Sequence, residues 1–397
     1  MKVVTSVNKA YLGLLDGWLR QSAAAVGMPV TVACMDDAAR AHCEGRDGIE
    51  VVVPPANPHG ARHDFWLRRL AILSRMLDGG DVVHTDVDAF WLESPWPLME
   101  RLPDDLVFSR EFGIPRHVAA RWGFVLCCGF FLARSTVASR AFFARWIALT
   151  RRHMDDQRAL NELLLGLGAS WTPVDEPGLR GERCTVNVDG HDVSIFALSY
   201  AQFSREPPFA VTGATVAHPY FERPFFRSYV ELVTGLLDET GRVSFVPGMD
   251  EVLVPSGVRR RDATTACALR WLLARRPGNA ANWAHLAALS LRLGDTEGAA
   301  TALDHARAAG DFDSWTLFLL GAGEAGLDRR VEAVSTLRQL ARRDDLELDL
   351  MRRSAVTLAR LGAWRDAAGL ALRAGRAAGF AGGMAMVTRH LQARLSG

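Results

Sequence analysis

The chain has 397 residues, and this length predicts two domains because single hydrophobic cores tend to split beyond roughly 250–300 residues. With 49% hydrophobic residues it can bury full cores, and its net charge of +1 argues against a nucleic-acid-binding protein or a polybasic membrane protein that relies on bulk charge. The first residues lack the features of a signal peptide, and no uncharged apolar stretch of about 18 residues occurs, so we expect a soluble, cytoplasmic protein without a membrane span.

Strand and helix patterns alternate along the first 90 residues. Short apolar runs predict strands at 2–7, 30–34, 49–53 and 82–83. Apolar residues at helical spacing predict helices at 11–26 and 65–77. This alternation predicts a mainly parallel sheet covered by helices on both faces, with ligands bound at the carboxyl ends of the strands.

The middle of the chain, residues 105–255, has more mixed patterns that predict α/β structure with insertions. Strands are expected at 106–109, 127–133, 193–197 and 215–218, and helices at 142–153 and 157–167. Residues 183–192 predict a short hairpin, because Asp189-Gly190 suits a tight turn between two strands.

The last third of the chain repeats with a period of 34 residues. Six sets of three mostly apolar or small residues share this offset: Trp283, Leu317 and Met351; Ala287, Gly321 and Ala355; Leu293, Leu327 and Leu361; Ala299, Ala333 and Ala367; Leu303, Leu337 and Ala371; and Ala306, Leu340 and Ala374. A period of 34 built from helix pairs is typical of tetratricopeptide (TPR) repeats, which bury their apolar faces by stacking on their neighbours. The sequence therefore predicts a first domain at 1–255 and a TPR-like helical repeat domain at 256–397.

Two carboxylates follow the apolar run at Val82 and Val83. Asp86 and Asp88 are two positions apart on extended backbone, so they point to the same side where the strand leaves the core. Two acids at the carboxyl end of a strand suit a hard divalent cation such as Mg²⁺, which proteins usually hold with one or two carboxylates and substrate phosphates. The pair therefore fits a nucleotide-diphosphate site, and an acidic turn after a strand is the alternative interpretation.

Three further motifs accompany this pair along the chain. They are Asn-Lys-Ala-Tyr at 8–11, Gly-Phe-Phe-Leu-Ala-Arg-Ser at 129–135, and Asp-Gln-Arg-Ala-Leu-Asn at 156–161. Together with Asp-Val-Asp at 86–88, Phe90-Trp91 and Ser94-Pro95, they resemble the ordered motifs of retaining, metal-dependent nucleotide-sugar glycosyltransferases of the GT-A fold. The resemblance is to glycogenin-type enzymes and to plant rhamnogalacturonan xylosyltransferase, and it covers about residues 1–235.

The resemblance implies a GT-A (Rossmann-like) α/β domain followed by the all-α TPR-like repeats. The implied enzyme transfers a sugar from a UDP-sugar to an acceptor with retention of anomeric configuration. Its implied cofactor is Mn²⁺ or Mg²⁺, held by Asp86, Asp88 and His218. Contacts to the nucleotide and the donor are expected from Thr5, Asn8, Tyr11, Arg69 (or Arg68 as the second choice), Asp86, Cys128 and Gly129. Asp156 and Gln157 are expected as catalytic residues near the reacting carbon of the sugar.

Several of these residues also fit simpler roles. His218 suits a hydrogen-bonded histidine at a strand end, and Asp155 or Asp156 suits an ordinary helix N-cap. Cys127 and Cys128 stand where glycogenin-like enzymes have Asn before a small residue, and because a thiol replaces an amide poorly in hydrogen bonding, the donor sugar stays open. No residue is identified as an enzymatic nucleophile, so we expect front-face transfer, with a diphosphate oxygen assisting the acceptor, rather than a covalent intermediate.

Other classes of protein fit the sequence less well. The run Asp-Val-Asp-Ala-Phe also resembles the metal motif of lesion-bypass DNA polymerases, but the chain lacks their basic balance, and a haloacid dehalogenase phosphatase needs Thr where Phe90 stands. The serious alternative is a non-catalytic scaffold, in which the TPR repeats bind a partner and the first domain is a degenerate sugar-nucleotide module. Because TPR arrays commonly present a concave surface to a peptide, the repeats are expected to recruit a protein or peptide acceptor or to mediate self-association into a homo-oligomer.

Overall fold

The computed structural model describes residues 1–54, 64–210, 213–219, 223–236, 257–344 and 346–377. These residues form two compact units: the described residues up to 219 form the first, and those from 223 onward form the second. The predicted boundary between residues 255 and 256 lies outside the described residues.

The first unit contains the strands and helices that the sequence predicts, in the predicted order, together with further short elements that it does not predict. Its strands are β1 (Lys2–Val7), β2 (Val30–Cys34), β3 (Ile49–Val52), β4 (Val82–Thr85), β5 (Phe90–Trp91), β6 (Leu106–Glu111), β7 (Val125–Ala133), β8 (Thr172–Glu176), β9 (Leu179–Val188), β10 (His191–Leu198), β11 (Phe203–Ser204) and β12 (Val216–Ala217). Its helices are α1 (Leu12–Val26), α2 (Asp37–Cys43), α3 (Asp64–Met76), α4 (Trp96–Met99), α5 (Arg116–Trp122), α6 (Val137–His153) and α7 (Asp156–Gly166), with short 3-10 turns at Lys9–Tyr11 and Pro208–Ala210.

The main sheet has nine strands in the order β3-β2-β1-β4-β7-β6-β10-β9-β8. The first four strands are parallel, which confirms the prediction for residues 1–90. Beyond them the sheet is mixed, because β7 runs antiparallel to both of its neighbours and β8, β9 and β10 form an antiparallel meander. The predicted hairpin joins β9 to β10, and its turn residues Asp189 and Gly190 have φ angles of 52° and 86°, as a two-residue hairpin turn requires.

The parallel strands bring polar residues to one edge of the sheet. Asn8 follows β1, Asp36 lies two residues beyond β2, and Asp86 follows β4, so all three lie at the carboxyl ends of neighbouring strands. This edge is where open α/β sheets bind ligands. A backbone N–H of the turn after β1, that of Lys9, donates to Asp36 Oδ2 at 2.9 Å and fixes two of these loops to each other.

An aromatic core supports that edge from below. Phe108 on β6, Phe131 on β7 and Trp146 on α6 are fully buried, with ring centroids 5.1 to 5.9 Å apart. Each fully buried side chain of this type contributes about 1.5–3 kcal/mol through the hydrophobic effect. Trp146 Nε1 also donates to the backbone oxygen of Asp156 at 2.8 Å, so the same core fixes the start of α7.

The second unit is helical throughout its described length. Its helices are α8 (Phe226–Gly235), preceded by a 3-10 turn at Arg223–Phe225, α9 (Gly257–Leu273), α10 (Ala280–Leu293), α11 (Thr296–Ala309), α12 (Ser314–Gly326), α13 (Arg330–Ala341), α14 (Leu348–Arg360) and α15 (Trp364–Ala377). The starts of α10, α12 and α14 at 280, 314 and 348 are 34 residues apart, as are those of α11, α13 and α15 at 296, 330 and 364. The predicted helix pairs of period 34 are therefore present, while their identity as TPR units stays a prediction.

Small residues lie where helices of a pair approach closely. A Cβ atom added to Gly321 on α12 would come within 2.7 Å of Leu337 Cγ on α13. In the same unit, the Oγ of Ser228 on α8 lies 2.8 Å from the Nδ1 of His285 on α10, so α8 packs with the repeats. Among the helices of the described segments, none combines the length and the apolar character that a membrane span requires.

Candidate active site

Asp86, Asp88 and His218 come together although the histidine lies 130 positions beyond Asp88. The antiparallel pairing of β12 with β5, in which Ala217 lies opposite Phe90, brings the residue after β12 beside the residues before β5. One ligand atom from each of the three side chains lies within 4.8 Å of the others, and His218 Nε2 is 3.3 Å from Asp88 Oδ1. The sequence prediction grouped the same three residues.

Gly129 makes room for the histidine. A Cβ atom at this position would lie 1.9 Å from Cε1 of the His218 ring, which no side chain can tolerate. The carbonyl oxygen of Gly129 also accepts a hydrogen bond from the backbone N–H of Asp86 at 2.7 Å. The missing side chain and the carbonyl of one glycine therefore set the positions of two members of the cluster.

The other ring nitrogen of His218 faces a cation and a thiol. Arg205 Nη1 lies 2.7 Å from His218 Nδ1, and Cys127 Sγ lies 3.7 Å from it. Because a guanidinium only donates hydrogen bonds, Nδ1 accepts here, and Nε2 carries the proton that faces Asp88. Arg205 is held in turn by Glu111, at 3.9 Å between Nη2 and Oε1.

Arg69 on α3 connects two carboxylates below the cluster. It is 2% exposed; its Nη1 donates to Asp86 Oδ1 at 2.9 Å, its Nε donates to Asp156 Oδ2 at 3.1 Å, and its Nη2 makes a second bond to the same Asp156 oxygen. The guanidinium also lies over the Trp66 ring, 4.7 Å from the ring centroid. His84, buried on β4, places Nε2 3.1 Å from Asp86 Oδ1 and 3.3 Å from Arg69 Nη1.

Burial and neighbouring charges shift the pKa values of the residues in this network. Burial opposes the charged form of Asp86, but Arg69 and then His84 outweigh it and lower the pKa of Asp86. For Asp156 the balance is reversed, since burial raises the pKa of its carboxyl group and Arg69 offsets only part of the rise. Burial lowers the pKa of His84, which keeps this imidazole neutral at neutral pH. At neutral pH, Asp86 is therefore an anion whose side chain is 31% exposed.

Three consecutive residues at the start of α7 make different contacts. Asp155 is the N-cap, and its Oδ1 accepts from the backbone N–H of Arg158 at 2.8 Å, which leaves Asp156 available for Arg69. Gln157 donates from Nε2 to Glu111 Oε2 at 2.6 Å. Asn161, one turn later, bonds both backbone groups of Leu126 on β7 at 2.8 Å, so α7 is fixed to the strand that carries Cys127 and Gly129.

Comparison with known proteins identifies this unit. Residues 28–216 match the model of a family described as nucleotide-diphospho-sugar transferase. The enzyme class is therefore glycosyltransferase, as predicted, and the first unit is called the transferase unit below.

Solved glycosyltransferases are similar to the transferase unit at low identity. The galactosyltransferase LgtC, in complex with donor and acceptor sugar analogs, is 16% identical with a TM-score of 0.40 over 59% of this chain and 95% of its own. The glycosyltransferase GlyE of Streptococcus pneumoniae TIGR4 is 17% identical with a TM-score of 0.30 over 41% of this chain and 42% of its own. Mouse xyloside xylosyltransferase 1 is 10% identical with a TM-score of 0.29 over 42% of this chain and 81% of its own. No curated protein sequence matches the chain.

The residues predicted to contact the nucleotide and the donor differ in their surroundings. Asn8 Oδ1 accepts from the backbone N–H of Ala10 at 3.1 Å and caps the 3-10 turn that contains Tyr11. Thr5, on β1, is fully buried, and its hydroxyl has no hydrogen-bond partner in the described structure. Cys128 points into the apolar core, and only its backbone N–H faces Gln157 Oε1, at 3.4 Å. Arg68 turns away and donates to the backbone oxygen of Met35 at 2.9 Å.

The sequence did not identify three residues of the transferase site, namely His84, Glu111 and Arg205. A signal was present for His84, which lies on β4 two positions before Asp86, so on extended backbone the two side chains face the same side. Glu111 ends β6 and Arg205 follows the two-residue strand β11, and neither position has a motif or a periodicity that marks it. Their roles arise from the pairing of distant strands.

Proposed function

We propose that the transferase unit moves a sugar from a UDP-sugar to an acceptor in a metal-dependent reaction that retains the anomeric configuration. The observation that carries the proposal is the cluster of Asp86, Asp88 and His218 at the carboxyl edge of a nucleotide-diphospho-sugar transferase fold. The cluster contributes two carboxylates and one imidazole, and nearby guanidinium groups limit the build-up of negative charge.

The donor atoms fit Mn²⁺ or Mg²⁺. Carboxylate oxygens suit both ions, and an imidazole nitrogen favours Mn²⁺. Three protein ligands leave positions for phosphate oxygens, and when bound the ion supplies positive charge that stabilises the departing diphosphate. Because His218 must offer a bare Nε2 to the ion, its proton has to move to Nδ1, so Arg205, which can only donate, has to withdraw from Nδ1 when the ion binds.

Arg69 prepares the anionic side of the site before any ligand binds. Its guanidinium holds Asp86 and Asp156 at fixed positions, and His84 packs the same oxygen of Asp86 from the other side. Rigid ligands lose little freedom when the ion binds, which favours binding. Arg69 therefore contacts the two carboxylates. The sequence resemblance implied a different role, namely direct contact with the donor.

Front-face transfer fits the surroundings of Asp156 better than a covalent glycosyl-enzyme does. The carboxylate of Asp156 is 3% exposed, and Arg69 donates two hydrogen bonds to it, so it is poorly placed to attack a sugar carbon. Gln157 lies next to it with its Nε2 bound to Glu111. Mass spectrometry of the protein incubated with donor alone tests this point, and a sugar covalently attached to Asp156 would contradict it.

The helical unit is proposed to recruit the acceptor. Its helix pairs stack with a 34-residue period, and arrays of this kind expose extended surfaces to peptides. Self-association is the rival role. Light scattering of the full chain over a range of concentrations separates the two, since a concentration-independent monomer excludes self-association.

The central test measures UDP release from a panel of UDP-sugars with Mn²⁺, with Mg²⁺ and with a chelator. We expect release from at least one donor, restored by Mn²⁺ after chelation, together with UDP binding that requires the ion. Incubation with lysate of cells that lack the protein, followed by mass spectrometry, then identifies the product. Absence of both UDP binding and UDP release would favour the non-catalytic scaffold.

A further inference from the structure

A stacked aromatic pair lies at the surface of the transferase unit beside the candidate active site. Phe112 follows β6, is 64% exposed, and stacks on Tyr200 with ring centroids 4.1 Å apart and planes 11° apart. Ile114, two residues later, is 63% exposed. Exposed apolar side chains that adjoin one another beside a site are a feature of ligand-binding grooves.

Hydrogen bonds hold this pair close to the predicted catalytic residue Gln157. Tyr200 Oη donates to the backbone oxygen of Glu111 at 2.8 Å, while Glu111 Oε2 accepts from Gln157 Nε2 at 2.6 Å. The same Gln157 nitrogen lies 3.4 Å from the backbone oxygen of Ile114. Glu111 therefore contacts Gln157 through its side chain and the aromatic pair through its backbone.

The chemistry around the pair matches a sugar ring. One face of the Phe112 ring packs on Tyr200, and its exposure leaves ring surface open to a ligand. A pyranose has an apolar C–H face that packs flat on an aromatic ring and a rim of hydroxyl groups that needs polar partners. Those partners are present in the Glu111 carboxylate and the Arg205 guanidinium, 3.9 Å from each other.

We propose that Phe112 and Tyr200 form an acceptor subsite that binds a sugar ring, so that the group that receives the transferred sugar is a hydroxyl of a glycan. This inference rests on the proposed glycosyltransferase function and specifies its acceptor. The glycan hydroxyl attacks the anomeric carbon of the donor, the bond from that carbon to the UDP oxygen breaks, and the hydroxyl proton passes to the departing diphosphate. A protein bound by the helical unit can carry such a glycan.

Saturation-transfer NMR of the full chain, loaded with UDP and the diamagnetic ion Mg²⁺, tests the subsite with methyl glycosides of common hexoses and pentoses as probes. We expect at least one glycoside to bind the wild-type protein. Phe112→Leu, which keeps apolar volume but removes the flat ring, should weaken its binding about tenfold, and Phe112→Tyr should retain it. Val137→Ala, at an exposed apolar residue of α6, is the matched control and should bind like the wild type.

The outcomes separate this inference from the proposed function. Failure of the wild-type protein to bind UDP with Mn²⁺ would contradict the proposed function itself. If UDP binds normally, the subsite is wrong if none of the glycosides binds or if Phe112→Leu binds them as well as the wild type does. An unglycosylated Ser/Thr peptide that binds through Phe112 while the glycosides do not would also overturn it.

Discussion

Each unit of the chain contains an arginine that pairs with a buried carboxylate, and the two networks differ in the ligand-binding capacity that they leave. In the helical unit, Glu324 is fully buried, its Oε1 accepts from Arg307 and its Oε2 accepts from Thr336 at 2.8 Å. In the transferase unit, Arg69 is shared between Asp86 and Asp156, so one guanidinium faces two carboxylates. The first network is closed, while the second retains negative charge on the partly exposed Asp86.

This difference distinguishes a structural ion pair from a binding site. Both oxygens of Glu324 are bonded within the helical unit and shielded from solvent, whereas Asp86 and Asp88 keep oxygens that face a histidine. Burial or a charged pair alone therefore does not indicate function. Function is indicated by carboxylate oxygens at the carboxyl edge of the sheet that can still bind a ligand.

The largest expected effect comes from removing each arginine in turn. Arg69→Met leaves Asp156 buried without its counter-ion, and breaking a buried pair in this way costs about 3–5 kcal/mol. Arg307→Met does the same to Glu324, so both variants should lower the free energy of unfolding in urea. Only Arg69→Met should also abolish UDP release. Equal loss of UDP release in the two variants would refute the distinction between the networks.

A second variant tests whether the unpaired charge of Asp156 causes the loss of stability. Adding Asp156→Asn to Arg69→Met removes the stranded charge and should recover most of the lost stability without restoring activity. The equivalent pair in the helical unit is Arg307→Met with Glu324→Gln, which should recover stability while UDP release stays at the wild-type level throughout. A double variant as unstable as the single one would show that packing, not charge, explains the loss.

The next largest effect is expected from the loss of a metal ligand in the transferase unit. Asp88→Asn should reduce metal-dependent UDP release by on the order of 100- to 1000-fold, because a ligand and its charge are lost from the ion site. Asp175→Asn is the matched control, since this aspartate is 75% exposed and pairs with Arg180 on the surface. Titration calorimetry with Mn²⁺ should show weakened binding for Asp88→Asn alone. Tight Mn²⁺ binding by that variant would remove Asp88 from the ligand set.

A smaller effect compares two glycines that both prevent a clash. In Gly129→Ala the new Cβ meets the His218 ring at 1.9 Å, so the imidazole must move and metal affinity should fall about 10- to 100-fold. In Gly321→Ala the new Cβ meets Leu337 Cγ at 2.7 Å, and a shift of this side chain should cost about 1–3 kcal/mol of stability without loss of UDP release. Unchanged Mn²⁺ affinity in Gly129→Ala would contradict the placement of His218.

Local periodicity explains why most of the fold could be predicted from the sequence. The alternation of strands and helices predicted the parallel strands β1 to β4, and the 34-residue offset predicted helix pairs whose starts repeat at that spacing. The antiparallel position of β7 between β4 and β6 was not predicted, because strand order depends on pairings between residues far apart in sequence.

The site was predictable only where a motif marks it. Asp86 and Asp88 adjoin an apolar run, and His218 entered through the family resemblance. Arg205 and Glu111 have no local signal, and the role of Arg69 required knowing that α3 and α7 meet beneath the sheet edge. The Cys127 side chain contacts a metal-ligand candidate, a role that the missing asparagine alone did not reveal.

The smallest expected effect is a pH dependence of the stability of the helical unit, and it comes from His285. Its ring is buried, stacks on Phe225 at 4.1 Å between centroids, and lies 2.8 Å from the Ser228 hydroxyl. Burial lowers the pKa of His285 to about 3, with Arg292 adding to the shift. The folded state therefore excludes a proton that the unfolded chain accepts below its ordinary pKa of about 6.5, so the stabilising contribution is present above that pH and is lost as the pH falls.

Between pH of about 7.5 and about 5.5, protonation of His285 in the unfolded chain should lower the free energy of opening of α10 by about 1.4 kcal/mol. Hydrogen exchange of residues 280–293 at both pH values measures this change, and His285→Gln, which cannot titrate, should remove it. A decrease of the same size in the variant would assign the pH dependence to another group.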